Sequence, residues 1–281
     1  MLRLGDYNTL KIVKSVDFGL YLDGGEEGEI LLPQRYVTKN MHIGDEIEVF
    51  IYLDQEERLV ATTEHPFAKV GEYVSLEVAW VNKFGAFLKW GLMKDLFCPF
   101  REQKKRMEQG QHHIVYIKVD EDSYRLMATA KVEKQLATPV LEDLPSLQHG
   151  TEVEILVWQK TDLGFKVIVN NRFQGLVFDN QVFQPLHSGM KLKGYVDHVR
   201  QDGKIDITLQ QNGRQQTLDF AEVLLRYLYE NDGYCNLGDK TPAELIYDRF
   251  QVSKKAYKKA IGDLYKRRLI IIRDDGIRLA K

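Results

Sequence analysis

Three pairs of glycines set at one spacing constrain this chain more than any other feature. Gly19 and Gly44, Gly85 and Gly110, and Gly164 and Gly189 are each 25 residues apart, and a fixed internal period marks a structural unit used more than once. The residues around each leading glycine repeat too: Phe18-Gly19-Leu20-Tyr21, Phe84-Gly85-Ala86-Phe87 and, more faintly, Leu163-Gly164-Phe165-Lys166. Each trailing glycine opens an alternating apolar stretch: Ile47, Val49 and Ile51 in the first unit, Ile114, Tyr116 and Lys118 in a shifted phase in the second, and Leu192, Gly194 and Val196 in the third. A polar turn and a closing strand follow, RLVATTE, RLMATAK and KIDITLQ in turn.

Alternation of period two, broken by turns at Asp23-Gly24-Gly25, Asp120-Glu121-Asp122 and Asp202-Gly203, predicts about five short strands per unit. Laid flat, they would leave two open edges; closed into a barrel they leave none, so a barrel is expected. In the middle unit REQKKRMEQG lacks alternation, is rich in helix formers and ends on Gly110, which predicts a short helix between the third and fourth strands. Closure with such a helix describes the OB fold.

After Gly213 the period changes to that of a helix. Leu218, Ala221, Leu224, Leu225 and Leu228 form one apolar stripe that stops at Asn231-Asp232-Gly233. Thr241-Pro242-Ala243-Glu244 reads as an N-cap, a first-turn proline and a capping-box glutamate, starting a second helix that runs to about Phe250. Ser253 caps a third, SKKAYKKAIGDLYKRR, and LIIIRDDGIRLAK reads as two strands about an Asp274-Asp275-Gly276 turn. Three helices and a hairpin resemble a winged helix.

Composition sets limits. The 281 residues suffice for several small domains. MLRLGDYNTL lacks a basic start with an apolar run, and no stretch nears the roughly 18 apolar residues of a membrane span, so a soluble cytoplasmic protein is expected. Cys98 and Cys235 are the only cysteines, too few for a disulfide framework and not in a zinc spacing, and are read as reduced, partly buried thiols. The net charge of -2 excludes binding of phosphates by bulk charge, so any such site is local. Residues 1–70 carry 7 Lys/Arg against 13 Asp/Glu, and residues 214–281 carry 14 against 10.

The stretch VSLEVAWVNKFGAFLKWGLMKDLFCPF resembles the ribosomal S1 RNA-binding domain, whose second strand carries F-G-x-F and whose third carries G-L-x-H; the first unit matches less well and the third in outline. Where that family has its third-strand histidine, Leu32, Cys98 and Phe178 are assigned here, leaving stacking on Phe178 as the contact at that position. The whole chain resembles the conserved virulence factor B family. That resemblance implies a mainly β chain with a C-terminal α+β domain: three tandem OB-fold (S1-like) five-stranded barrels at 1–68, 69–134 and 147–212, then a winged helix at 215–281. It also implies an RNA-binding regulator of gene expression in a bacterial cytoplasm, without cofactor. The linker VEKQLATPVLEDLPSLQHG leaves the second and third units free of a fixed arrangement.

Phe84 and Phe87 are the leading candidates for stacking RNA bases. Strand alternation puts them on opposite faces unless Gly85 introduces a bulge, and the plain alternative is a core role. Phe18 and Tyr21 occupy the same motif positions in the first unit. Lys83, Lys89 and Arg125 are candidates for phosphate contacts, against the ordinary reading of solvated charges. The run Arg101, Lys104, Lys105 and Arg106 is read as a solvated face. Lys254, Lys255, Lys258 and Lys259 oppose the helix dipole at the start of the third helix, which hints at an anionic partner. Asp23, Glu26, Glu27 and Glu29, in the segment from Tyr7 to Tyr36, make the first unit acidic; it is expected to add least to RNA affinity and to face a protein partner.

Single-stranded RNA is thus the expected ligand of a non-catalytic protein without metal. Three rival readings remain: a winged-helix regulator that binds duplex DNA, a ribosome- or polymerase-associated adaptor, and a nuclease. Against the last, His112-His113 has no evident partner and no Gly-rich phosphate loop is present.

Overall fold

A computed structural model describes residues 2–210 except Phe183 and Gln184, and residues 215–280 except Gln251 and Asp274. It is mainly β, with three closed barrels of five strands and a C-terminal α+β domain. The first barrel comprises β1 (Tyr7–Val16), β2 (Gly19–Asp23), β3 (Glu29–Pro33), β4 (Glu46–Leu53) and β5 (Leu59–Thr62). The second comprises β6 (Tyr73–Val81), β7 (Gly85–Lys89), β8 (Leu96–Pro99), β9 (His112–Val119) and β10 (Leu126–Thr129). The third comprises β11 (Glu152–Thr161), β12 (Gly164–Val169), β13 (Phe173–Phe178), β14 (Lys191–Val199) and β15 (Ile205–Thr208). In each barrel the first strand pairs with the second and fourth, the third pairs with the fifth in parallel, and all other pairs are antiparallel.

The leading glycines of the period sit where the second strand presses on the third. A Cβ built on Gly85 would lie 2.4 Å from the Cys98 carbonyl oxygen; on Gly19 and Gly164 it would lie 2.2 and 2.1 Å from those of Leu32 and Val177. Only a residue without a side chain permits that approach. The trailing glycines serve differently: Gly44, Gly110 and Gly189 have φ of +101°, +83° and +94°.

The inward set is the same in all three barrels. Val49 and Ile51, Val115 and Ile117, and Gly194 and Val196 hold matching places after the trailing glycine; all but Gly194 are fully buried apolar residues. The expected phase shift in the second unit is therefore absent: Ile114, Tyr116 and Lys118 lie on the other face of β9. The expected helix in REQKKRMEQG is absent too. A single 3-10 turn spans Phe100–Glu102, after which the Gln103 side chain donates to the Cys98 carbonyl and accepts from Met107 N–H. Met107 is the segment's one apolar residue and it is buried. A helix with one apolar side chain has no stripe to bury, so the segment anchors that residue and stays irregular.

The first two barrels belong to one compact unit and the third barrel with the C-terminal domain to another. Within the first unit β4 is buried on both faces from Val49 to Tyr52, because Phe50 meets Trp90 edge to face at 5.9 Å and Tyr7 at 5.3 Å. Phe50, Tyr52 and Val60 join the core of the second barrel.

The C-terminal domain has α1 (Gln215–Glu230), α2 (Ala243–Phe250) and α3 (Lys254–Lys266), then the hairpin of β17 (Ile270–Arg273) and β18 (Gly276–Leu279). A two-residue strand, β16 (Tyr234–Cys235), adds to β18; it is too short to show alternation. Ala221, Leu224 and Leu228 of the α1 stripe are buried. Ser253 Oγ accepts from Ala256 N–H and caps α3, while the Thr241 hydroxyl accepts from Gly238 N–H. Gly213, Asp274 and the Leu218 side chain fall outside the described residues.

Gly85→Ala is expected to destabilise the middle barrel by about 1–3 kcal/mol through overpacking. Gly262→Ala, with open space on α3, is expected to stabilise by roughly 0.5–1 kcal/mol. Denaturant unfolding followed by tryptophan fluorescence for the barrel and by helical circular dichroism for α3 checks both signs.

Candidate nucleic-acid interface

A bulge in the first strand of each barrel decides which side chains face outward. The register slips between Val78 and Trp80, and likewise between Ile12 and Lys14 and between Val157 and Gln159. The extra residue is Val13, Ala79 or Trp158, six positions ahead of the leading glycine in every unit. Past it the strand's faces exchange. Trp80 thereby leaves the core phase of Val78 and lies opposite Phe87. The predicted bulge at Gly85 is thus found on the partner strand instead.

Register then defines one outward row across each barrel. In the middle barrel it reads Trp80, Phe87, Phe97, Met127; in the first Lys14, Tyr21, Leu31, Val60; in the third Gln159, Lys166, Leu176, Asp206. The middle barrel alone has an aromatic row. Trp80 and Phe87 stack at 3.7 Å and 3°, and Phe97 leans on Phe87 at 5.0 Å. Both flanks of Phe87 are therefore covered, and the surfaces left for a base are Trp80, which is 44% exposed, and Phe84, which is 61% exposed. Phe84 lies in the turn before β7, where Asn82 Oδ1 accepts from the N–H groups of Phe84 and Gly85.

Phe84, Phe87 and Phe97 line a cleft of about 640 Å³ with Lys94, Arg101 and Arg125, closed on one side by Tyr52, Leu53 and Glu57 of the first barrel. Arg101 Nη2 reaches Asp120 at 3.1 Å, and Arg125 pairs with Glu57. The Ser123 hydroxyl donates to Asp120 at 2.7 Å and, with the Arg101 guanidinium, holds that carboxyl below its ordinary range. Lys94 Nζ donates to the Asp54 carbonyl at 2.6 Å, and burial lowers its pKa.

Of the candidate residues, Phe84, Phe87 and Arg125 meet in this cleft. Lys83 Nζ lies 5.0 Å from the Phe84 ring. Lys89 lies outside the lining and pairs with Glu77 at 2.8 Å. Phe18 is 57% exposed, edge-on to Tyr21 at 6.3 Å, with Lys14 5.2 Å from the Tyr21 ring. Phe178 pairs with Gly164, the place of Pro33 and Pro99, so it does not match Leu32 and Cys98; Val177 does. Leu32, Cys98 and Val177 all point into the core, where burial pushes the Cys98 thiol up to about 12. Both thiols are fully buried, more than expected. Phe178 stands instead beside Arg200, 5.5 Å away.

On α3 the residues Tyr257, Ala260, Ile261 and Leu264 are buried. Lys255, Lys258 and Lys259 are exposed with Tyr265 on the other side, and Lys254 is half-buried. Lys258 pairs with Asp239 at 3.0 Å. Trp80, Phe97, Lys94 and Arg101 were not among the candidates. The bulge that turns Trp80 outward leaves no mark in the letters, and Arg101 read as one more charge in a basic run.

The S1 domain model matches residues 4–64, the first barrel, although the motif letters stand closest in the middle one. The CvfB-like winged helix domain model matches residues 222–279. Conserved virulence factor B of Staphylococcus aureus (strain N315) is 25% identical over 287 residues, covering 99% of this chain and 94% of its own. Over nearly its whole length the chain is thus similar to proteins named conserved virulence factor B, and it carries that family's type of winged helix domain. Another relative is the uncharacterized protein YitL of Bacillus subtilis (strain 168), 29% identical over 94% of this chain and 90% of its own. A solved structure of a multidomain protein with nucleic acid binding domains from Streptococcus pneumoniae covers 98% of both chains at 20% identity and a TM-score of 0.42. The S1 and winged-helix domains of this virulence factor B relative support nucleic-acid binding. Among the described residues no helix is long and apolar enough to cross a membrane.

Because the folded-state pKa of Asp120 is lowered from 3.8, its contribution to stability is present above that value and lost as pH falls through the folded pKa. Asp120→Asn should therefore be less stable than the parent at pH about 6, the gap narrowing as pH falls below 3.8. Urea unfolding across that range checks it.

Proposed function

We propose that the chain is a non-catalytic protein that binds single-stranded RNA through the middle barrel and regulates gene expression after transcription. The observation that carries this reading is the cleft in which Phe84, Phe87 and Phe97 meet three cations, with Trp80 stacked on Phe87 just outside its lining. A base stacked on an aromatic contributes about 1–3 kcal/mol whatever its identity. Phe84 and Trp80 offer the open faces, and Phe87, itself flanked by Phe97, backs Trp80. Arg101 and Arg125 face the same cleft; the exposed Arg125–Glu57 pair is worth about 0–1 kcal/mol and exchanges readily for phosphate, whereas Arg101 keeps the buried Asp120 and offers its remaining N–H donors. Lys83 stands by the Phe84 ring while Lys89 is paired with Glu77 outside the lining, and Phe18 with Tyr21 and Phe178 with Arg200 offer single rings in the other two barrels.

The exposed lysines of α3 favour a second reading, in which the winged helix lays this helix along duplex DNA. The exposed 3-10 turn Gly25–Glu27, carrying Glu26 and Glu27, suits a basic protein partner. Cleavage of labelled RNA by the purified chain would instead favour the nuclease reading.

Anisotropy titrations against single-stranded RNA and duplex DNA at several salt concentrations decide between them. Trp80→Ala/Phe84→Ala is expected to weaken RNA binding by roughly 10- to 1,000-fold with the salt slope unchanged. Charge reversal of Lys254, Lys255, Lys258 and Lys259 is expected to flatten the slope. A tighter grip on duplex DNA that persists against competing RNA would overturn this reading for the second one.

A further inference from the structure

A second cleft, of about 440 Å³, lies in the first barrel and abuts the aromatic one. The two share Tyr52 and Lys94 as a common wall. Its floor is the first barrel's outward row, Leu31 and Val60, and its rim carries Arg35 and Arg58. Arg58 is occupied, at 2.7 Å from Asp54 and 3.0 Å from Glu56. Arg35 and Lys94 differ from it: among the described residues neither pairs with a carboxylate. Arg35 Nη1 meets the Met93 sulfur, and Lys94 Nζ meets a carbonyl oxygen, which leaves ammonium donors unused. Asp23, Glu26, Glu27 and Glu29 line neither cleft, and the acidic residues of the first barrel that do, Asp54, Glu56 and Glu57, are each paired with an arginine.

We propose that the two clefts are halves of one track, in which a single RNA strand stacked at the middle barrel runs over Lys94 and sets a following phosphate on Arg35. This rests on the RNA reading above. Lys94 stands at the junction, where a strand leaving the aromatic row must turn past Tyr52. Arg35 then offers a planar, uncommitted fork suited to a phosphate. The first barrel supplies backbone contacts without a stacking row, so it adds the smaller share of affinity.

The test uses labelled oligouridylates of roughly 6 and roughly 16 nucleotides, since one OB barrel covers about 4–16. Arg35→Gln, at an exposed residue, is expected to weaken the long oligomer about tenfold and to lower its salt slope by about 0.7, one phosphate on a single strand. It should leave the short oligomer unchanged. Arg35→Gln/Lys94→Gln should lower the slope further, to about 1.4 in total. If Arg35→Gln leaves the long oligomer's affinity and slope intact while Trp80→Ala/Phe84→Ala weakens both lengths, the track is overturned and the RNA reading stands. If no variant changes either affinity, the RNA reading falls and takes the track with it.

Discussion

The apolar joint between the first two barrels is the contact on which the candidate site depends. Phe50 faces away from its own barrel's core, yet it is fully buried because Trp90 of the next barrel covers it. Burying side chains of this size is worth about 1.5–3 kcal/mol each, so the joint holds without help from charge. Polar contacts then fix its edges: Trp90 Nε1 donates to the Lys94 carbonyl, and Lys94 Nζ donates to the Asp54 carbonyl. The loop from Trp90 to Asp95 is thereby tied to the first barrel, and Tyr52 becomes a wall of the second barrel's cleft. An isolated middle barrel would carry the aromatic row but only half of its groove.

A chain of net charge -2 meets phosphates through placement. In the aromatic cleft Arg125 is held by an exposed ion pair with Glu57 at small cost, Arg101 by the buried Asp120, and Lys94 by a carbonyl oxygen. The third barrel sets the arginine beside Phe178 on a buried carboxylate. Its outward row ends on Asp206, which is nearly fully buried and held by Arg200 at 2.5 Å and by His198 at 3.4 Å. The arginine beside Phe178 is thus committed to a buried carboxylate, and exchanging that partner for phosphate would strand a charge. One scaffold therefore presents an aromatic face in the middle and a self-neutralised face in the third barrel.

The fold was legible in the sequence because the glycines that carry the period are demanded by backbone contact. At Gly19, Gly85 and Gly164 a side chain would strike a carbonyl, so spacing alone exposed three barrels. The site was less legible. A bulge adds one residue and reverses every face beyond it, and nothing in the letters VAWVN distinguishes Ala79 as the extra one. The same one-residue sensitivity placed Phe178 in a position that belongs to Val177 and gave β9 the wrong phase. REQKKRMEQG misled in another way: helix-forming composition is a weak prior when only Met107 can be buried.

Inward and outward positions answer to different demands, and this explains how three copies of one barrel come to differ. Val49, Val115 and Gly194 share a place, as do Ile51, Ile117 and Val196, because each must fit the same closed core. The outward row meets no such limit, and Lys14, Trp80 and Gln159 share a place with nothing in common. On α3 a related freedom operates. Its buried face of Tyr257, Ala260, Ile261 and Leu264 is dictated by packing, but Lys254 and Lys255 in its first turn each oppose the helix dipole by about 0.3–1 kcal/mol. Lys258, a turn further on, pairs with Asp239. Exposed lysines at the end of a helix where acidic residues would stabilise it fit a surface shaped by an anionic ligand better than one shaped by the helix alone.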